Sequence, residues 1–128
     1  MIRILMIDDD ADMCDEMTDI LESDDFDVTA VCDPLKGLQL AQQNDFDLLL
    51  LDLKMPGING YDILRRVKAM DADMKVMVIT GSPLKKIPGR ELSPEEKNEN
   101  KILELADEIV VKSSDIDLIL EKIKKLVR

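Results

Sequence analysis

Carboxylate side chains follow two apolar runs of the chain, at the point where each run ends. Asp8 and Asp9 come directly after the run Ile2–Ile7, and Asp52 follows four consecutive leucines. Runs of this kind are typical of strands that are buried on both faces of a parallel sheet. An aspartate at the end of such a strand loses solvation unless something compensates its charge. Helix capping is the ordinary alternative for Asp52, but the next helix signal begins only near Asn59.

Two further polar side chains end apolar runs later in the chain, Thr80 after VMVI and Lys112 after IVV. The carboxyl ends of parallel strands meet at one edge of a sheet, so three carboxylates, a hydroxyl and an ammonium are predicted to converge there. Two like charges about 4 Å apart repel by roughly 4 kcal/mol at an effective dielectric constant of about 20. Three carboxylates therefore require a cation, and oxygen ligands with room for water favour Mg²⁺.

This set of groups predicts phosphoryl-transfer chemistry at Asp52. Its carboxylate could attack phosphorus to form an aspartyl phosphate, a transfer that needs mainly positioning and charge neutralisation. Mg²⁺ held by Asp9 and Asp52 would supply one countercharge and Lys112 another, while the hydroxyl of Thr80 would donate to a phosphoryl oxygen. Taken singly, these residues have ordinary alternatives as helix-start aspartates, a strand-end threonine and a solvated lysine. The placement of all of them at strand ends favours the chemical interpretation.

The elements that must position these groups alternate regularly along the chain. The predicted strands cover residues 2–7, 26–32, 46–52, 75–80 and 108–111. The predicted helices cover residues 11–23, a segment from Pro34 onward, 61–70, 94–106, and a segment that Ser113 or Ser114 caps and that ends at 126. Five strands alternating with five helices predict an α/β fold, with one five-stranded parallel sheet and helices on both faces.

Residues 1–128 are predicted to form a single domain with an extended loop at about 82–93, before the fourth helix. Residues 81–92 mark that loop, because they hold two prolines and two glycines without any clear period. Helical spacing places Leu35, Leu38 and Ala41 on the inner face of the second helix, and Met70 on that of the third.

Composition and charge exclude several classes of function. A net charge of -11 argues against a nucleic-acid surface and against an anionic membrane. The absence of histidine excludes histidine-based catalysis and most zinc sites. No apolar run approaches the roughly 20 residues of a membrane span, and the amino terminus becomes acidic too soon for a secretory signal. Cys14 and Cys32 are interpreted as reduced, half-buried thiols of a cytoplasmic protein.

The chain resembles the receiver domains of two-component response regulators over essentially all of its length. The segments that carry the resemblance are IDDD with Asp8 and Asp9, DLKMPGINGYD with Asp52, VMVITG with Thr80, and IVVKS with Lys112. The resemblance implies a flavodoxin-like fold with strand order 2-1-3-4-5.

The resemblance also implies a role for each site residue. Asp52 would be the phosphoacceptor. Asp9 and Asp52 would bind Mg²⁺ directly, Asp8 would act mainly through water, and the backbone carbonyl of Lys54 would be a further ligand. The residues implied to bind the phosphoryl group are Thr80 and Lys112. The phosphoryl donor would be a histidine kinase or a histidine phosphotransfer protein, and the output would be a change in binding to a downstream protein. A phosphorylation-dependent homodimer through the fourth and fifth helices is a further hypothesis.

Three features depart from the family's usual pattern. Ile109 stands where an aromatic residue usually turns inward on phosphorylation, and Ser113 replaces a proline that is often cis. The interval from Thr80 to Lys112 is longer than usual, and the excess falls in residues 83–92. The departures keep open an alternative, a receiver-like interaction scaffold that works without phosphorylation. A phosphatase that turns over substrate is disfavoured, because Lys54 occupies the position where such enzymes commonly need a second carboxylate.

Overall fold

A computed structural model describes residues 1–53, 55, 59–71, 73–81, 91–112 and 114–127 of the chain. Three predicted features lie wholly or mostly outside these residues. They are the metal ligand at Lys54, the helix cap at Ser113 and most of the 82–93 loop. The strands are β1 Arg3–Ile7, β2 Asp27–Val31, β3 Leu48–Leu51, β4 Lys75–Thr80 and β5 Glu108–Val111. They form one parallel sheet in the order β2-β1-β3-β4-β5, as predicted. Each predicted strand boundary lies within two residues of the observed one.

The helices are α1 Ala11–Ser23, α2 Pro34–Gln43, α3 Gly60–Met70, α4 Pro94–Leu103 and α5 Ile116–Val127. Side chains before four of them accept hydrogen bonds from the exposed N–H groups of the first turn. These caps are Asp10, Asp33, Asn59 and Ser93, and the Glu96 carboxylate accepts a reciprocal hydrogen bond from Ser93 N. Ser113 or Ser114 was predicted to cap α5. For Ser114 the prediction is wrong, because the Asp115 carboxylate accepts the hydrogen bond from Asp117 N at 3.1 Å.

The four leucines of β3 divide the core into two layers, because successive side chains of a strand point to opposite faces. Leu49 and Leu51 pack in the cluster that contains α2, α3 and α4 side chains. Leu48 and Leu50 pack in the cluster that contains α1 and α5 side chains. All four leucines are fully buried, which confirms the prediction of a central strand covered on both faces.

Some helical positions differ from the prediction. Leu35 and Met70 were expected to point inward but are 51% and 42% exposed, because they lie in the first turn of α2 and at the last residue of α3. Helix α4 ends at Leu103 rather than Ala106. The backbone there turns toward β5 through a hydrogen bond from Ala106 N to the Leu103 carbonyl.

The two cysteines are free thiols, but neither is half-buried as predicted. Cys14 is buried in the first turn of α1, and Cys32 is exposed just after β2.

Candidate functional site

Backbone hydrogen bonds continue the sheet beyond β1 and β3 and fix the position of two aspartates. Asp8 N donates to the Val31 carbonyl at 3.2 Å, and Asp52 N donates to the Ile7 carbonyl at 3.0 Å. Their side chains are only 1% and 4% exposed. Two acidic residues are therefore buried side by side at the carboxyl edge of the sheet, where the sequence predicted them.

The carboxylates of Asp8, Asp9 and Asp52 form one cluster, with one oxygen atom from each lying within 4.8 Å of the others. Asp9 is exposed, so the cluster opens to solvent on one side. Asp8 Oδ1 accepts a hydrogen bond from Asp10 N at 3.0 Å. Asp8 Oδ2 is buried and accepts no hydrogen bond within the described part of the chain, although the Lys112 ammonium lies 3.3 Å from it. A buried carboxylate oxygen without a hydrogen bond, beside two further carboxylates, is an arrangement that a cation would complete.

The ammonium of Lys112 bridges the two buried carboxylates. Its Nζ lies 3.3 Å from Asp8 Oδ2 and 3.3 Å from Asp52 Oδ2. The side chain of Lys112 is 29% exposed, so the ammonium is partly buried. Burial alone lowers the pKa of Lys112, but the attraction of the two carboxylates outweighs it and raises that pKa above its ordinary value. One ammonium against three carboxylates leaves the cluster negative, as a divalent-cation site requires.

The buried carboxyl of Asp8 has an unusual affinity for protons. Burial raises its pKa, the hydrogen bond from Asp10 N opposes that rise, and repulsion by Asp52 adds to it. The balance places the pKa of Asp8 at about 6. The charge of this carboxyl is therefore sensitive to pH near neutrality.

Thr80 and Lys112 lie at the ends of the neighbouring strands β4 and β5. Lys112 N donates to the Thr80 carbonyl at 2.9 Å, so the two residues are held together by the backbone. Thr80 is 1% exposed. A Cβ placed on the following Gly81 would meet no heavy atom of the described residues within 4 Å. All five side chains predicted from the strand ends are thus held at one edge of the sheet.

Gly60 is a positioning residue that the sequence reasoning missed. Its N donates to the Leu53 carbonyl at 3.2 Å. A Cβ on Gly60 would lie 2.5 Å from Leu53 Cα and 2.6 Å from the Asp52 carbonyl oxygen, far inside van der Waals contact. Only glycine lets α3 begin directly against the backbone of Asp52. A glycine immediately after the helix cap Asn59, where many residue types are tolerated, was the available signal.

The family model for the response regulator receiver domain matches residues 4–124. The chain belongs to this family. Response regulator TrrA from Thermotoga maritima, solved in complex with Mg²⁺-BeF, matches this receiver domain with a TM-score of 0.82 at 26% identity. That match covers 98% of this chain and 99% of TrrA. TrrA in complex with the histidine kinase ThkA matches with a TM-score of 0.79. These likenesses confirm the predicted fold and family.

Two curated relatives are longer than this chain. The DNA-binding dual master transcriptional regulator RpaA of Synechocystis is 32% identical over an alignment that covers 98% of this chain and 49% of RpaA. The DNA-binding response regulator MtrA of Mycobacterium tuberculosis is 36% identical over 61% of this chain and 34% of MtrA. The chain thus spans between a third and a half of these proteins. In the part of the chain that the structure describes, no helix has the length and apolar character of a membrane span.

Proposed function

We propose that this receiver domain accepts a phosphoryl group on Asp52 and thereby changes its binding to a downstream protein. The observation that carries the proposal is the cluster itself. Asp52 is buried at the end of β3, within 4.8 Å of two further carboxylates and 3.3 Å from the ammonium of Lys112. An ordinary structural aspartate has no need of such surroundings, whereas a nucleophile toward a charged phosphoryl group does.

Asp52 is the nucleophile in this account. One of its carboxylate oxygens forms the new bond to phosphorus, and the bond from phosphorus to the donor's histidine nitrogen breaks. The imidazole that leaves takes up a proton from solvent. The Lys112 ammonium stays beside the carboxylate and neutralises charge on the phosphoryl oxygens, and the Thr80 hydroxyl donates to one of them. No group of the chain needs to move a proton for the transfer itself.

Mg²⁺ fits the acidic cluster. Asp9 and Asp52 are the direct ligands in this proposal, Asp8 acts mainly through water, and the backbone carbonyl of Lys54 completes the protein's share. When bound, Mg²⁺ supplies the positive charge that lets a phosphoryl group approach three carboxylates. The convergence of three carboxylates against one ammonium, with an oxygen of each carboxylate within 4.8 Å of the others, supports this assignment. The Mg²⁺-BeF complex of TrrA supports the choice of metal.

The phosphoryl donor in this proposal is a histidine kinase or a histidine phosphotransfer protein in the cytoplasm. The complex of TrrA with ThkA supports a kinase partner. The net charge of -11 supports an output through protein contacts rather than direct binding of nucleic acid by this domain. A homodimer that forms on phosphorylation remains part of the proposal. The domain catalyses at most its own phosphorylation and dephosphorylation, and it is not a turnover enzyme.

One observation favours a second candidate, a receiver-like scaffold that binds partners without phosphorylation. Ile109 packs partly buried against the core cluster of α2, α3 and α4, and it cannot act as an aromatic switch. The intact charged cluster favours the phosphorylated receiver over this scaffold, because a scaffold gains nothing from three adjacent carboxylates.

Beryllofluoride, which mimics a phosphoryl group on aspartate, separates the two candidates. Fluorine NMR of the protein with beryllofluoride and Mg²⁺ should show a bound signal that Asp52→Asn abolishes. The matched control is Asp12→Asn, which removes an exposed aspartate of α1 outside the cluster. A bound signal that persists in Asp52→Asn, or that forms equally well without Mg²⁺, would contradict the proposal.

A further inference from the structure

The two cysteines of the chain lie together beside Asp8, although they belong to different elements. The sheet register pairs Ile7 with Val31, and Asp8 N donates to the Val31 carbonyl. Cys32, the next residue after Val31, is thereby fixed next to the turn that follows β1. The thiol of Cys14 donates to the Asp8 carbonyl at 3.4 Å. Burial raises the pKa of the Cys14 thiol to about 12, and the nearby Cys32 thiol adds to that rise.

The two sulfurs differ in access to solvent. Cys32 is exposed, and Cys14 is 4% exposed. An exposed thiol can be oxidised to a sulfenic acid, which condenses with a neighbouring thiol to form a disulfide. The pair therefore combines an accessible sulfur with a protected partner.

We propose that Cys14 and Cys32 are a modification site, forming an intramolecular disulfide when a peroxide oxidises the protein. The peroxide transfers one oxygen to the Cys32 sulfur, which becomes a sulfenic acid, and the peroxide is reduced to water. The Cys14 sulfur then attacks the Cys32 sulfur and forms the S–S bond. The hydroxyl of the sulfenic acid leaves with the Cys14 proton as a second water. Two thiols and one hydrogen peroxide thus give one disulfide and two waters.

Disulfide formation changes the surroundings of Asp8. The Cys14 sulfur must come to about 2 Å from the Cys32 sulfur and loses its hydrogen. It can then no longer donate to the Asp8 carbonyl, which leaves that buried carbonyl without this donor. The backbone of Asp8 is displaced, and the affinity of the acidic cluster for Mg²⁺ falls. This second part rests on the proposed metal site, whereas the disulfide itself does not.

The disulfide is tested by intact mass spectrometry of the reduced protein before and after a small excess of hydrogen peroxide, with alkylation under denaturing conditions. The wild type should lose two hydrogens, take no alkyl group after oxidation, and regain both sites with dithiothreitol. Cys32→Ser, which changes only an exposed sulfur, should keep one alkylatable thiol throughout. Two alkylatable thiols after peroxide, a sulfinic acid at Cys32, or a covalent dimer would each overturn the proposal.

The effect on the metal is measured by calorimetric titration with MgCl₂. The Kd of the oxidised wild type should be at least about three-fold higher than that of the reduced protein, and peroxide should leave the Kd of Cys32→Ser unchanged. An unchanged Kd in a protein whose mass shows the disulfide would overturn the effect on Asp8. Absence of Mg²⁺ binding even in the reduced protein would instead count against the proposed function, and the disulfide would still be decided by the mass measurement.

Discussion

The charge of the Asp8 carboxyl depends strongly on its surroundings. Its pKa of about 6 lies above the ordinary value of 3.8, so the folded protein holds this proton more tightly than the unfolded chain does. A carboxyl whose pKa is higher in the folded protein than in the unfolded chain contributes stability at pH values below its unfolded pKa. That contribution is lost as the pH rises through its folded pKa. In the absence of metal, this group therefore costs the folded state roughly 3 kcal/mol at neutral pH.

Replacing Asp8 with asparagine should make the metal-free protein more stable at neutral pH, because no buried charge has to form. Urea unfolding in EDTA, measured from pH 4 to pH 7.5, should show the wild type losing stability relative to Asp8→Asn as pH rises, most steeply between about 4 and 6. The two proteins share every other carboxylate, so the difference between their free energies of unfolding reports on Asp8 alone. Parallel curves for the two proteins would contradict this role for burial.

Residue identities at the strand ends could be predicted from the sequence, because the end of an apolar run is visible in one dimension. The positions of Asp8, Asp52 and Thr80 could be predicted from these run ends together with the rule that the ends of parallel strands meet at one edge of a sheet. The bridge that Lys112 makes to both buried aspartates, and the unusual pKa of Asp8, depend on side-chain distances that no spacing encodes. The closeness of Cys14 to Cys32 was missed for the same reason.

At the scale of elements, the start of α3 is held against the phosphoacceptor strand by Gly60. Gly60→Ala would push a methyl group into Leu53 Cα and the Asp52 carbonyl, both backbone atoms that cannot rotate away. We expect a loss of about 1–3 kcal/mol in the free energy of unfolding, measured by urea titration. Gly81→Ala is the matched control, since no described residue would contact the added methyl group. If the two variants were equally stable, the start of α3 would accommodate the added methyl group, which would contradict this role of Gly60.

Helix α4 packs against α3 through apolar side chains, and a tyrosine of α3 lies near a glutamate of α4. Burial raises the pKa of the Tyr61 hydroxyl to about 12, and the negative charge of the nearby Glu99 carboxylate adds to that rise. A double-mutant cycle of Tyr61→Phe and Glu99→Gln should give a coupling energy of about 1 kcal/mol, because the pair is only partly buried. Glu95→Gln, on the exposed side of α4, should show no coupling to Tyr61→Phe. Additive effects of the first pair would contradict the contact.

Element order could be predicted from the sequence, and element ends less well. The β3 leucines identified the central strand because burial on both faces leaves no polar position in it. The end of α4 was placed three residues late, since Ala106 fits a helical pattern as well as it fits the turn that the backbone makes. The exposure of Leu35 and Met70 follows from their places at helix ends, which hydrophobic spacing alone does not reveal.

The whole molecule carries a net charge of -11, and its acidic cluster concentrates part of that charge in one place. Mg²⁺ that binds the folded state alone should raise stability by about 2.7 kcal/mol at 100 times its Kd. Urea unfolding at pH 7.5 should show this gain, which should shrink below about pH 6 as Asp8 takes up its proton. NaCl at equal ionic strength controls for screening of the net charge. An equal gain with NaCl, or in Asp9→Asn, would contradict a specific metal site.

The central claim is that Asp52 carries the phosphoryl group, and intact-protein mass spectrometry tests it most directly. The protein is incubated with phosphoramidate, a small phosphodonor with a P–N bond, with and without Mg²⁺. The account predicts a mass gain of one phosphoryl group in the wild type and in Asp12→Asn, only with Mg²⁺, and none in Asp52→Asn. A phosphoryl group gained by Asp52→Asn to the same extent, or no gain by the wild type under any of these conditions, would contradict it.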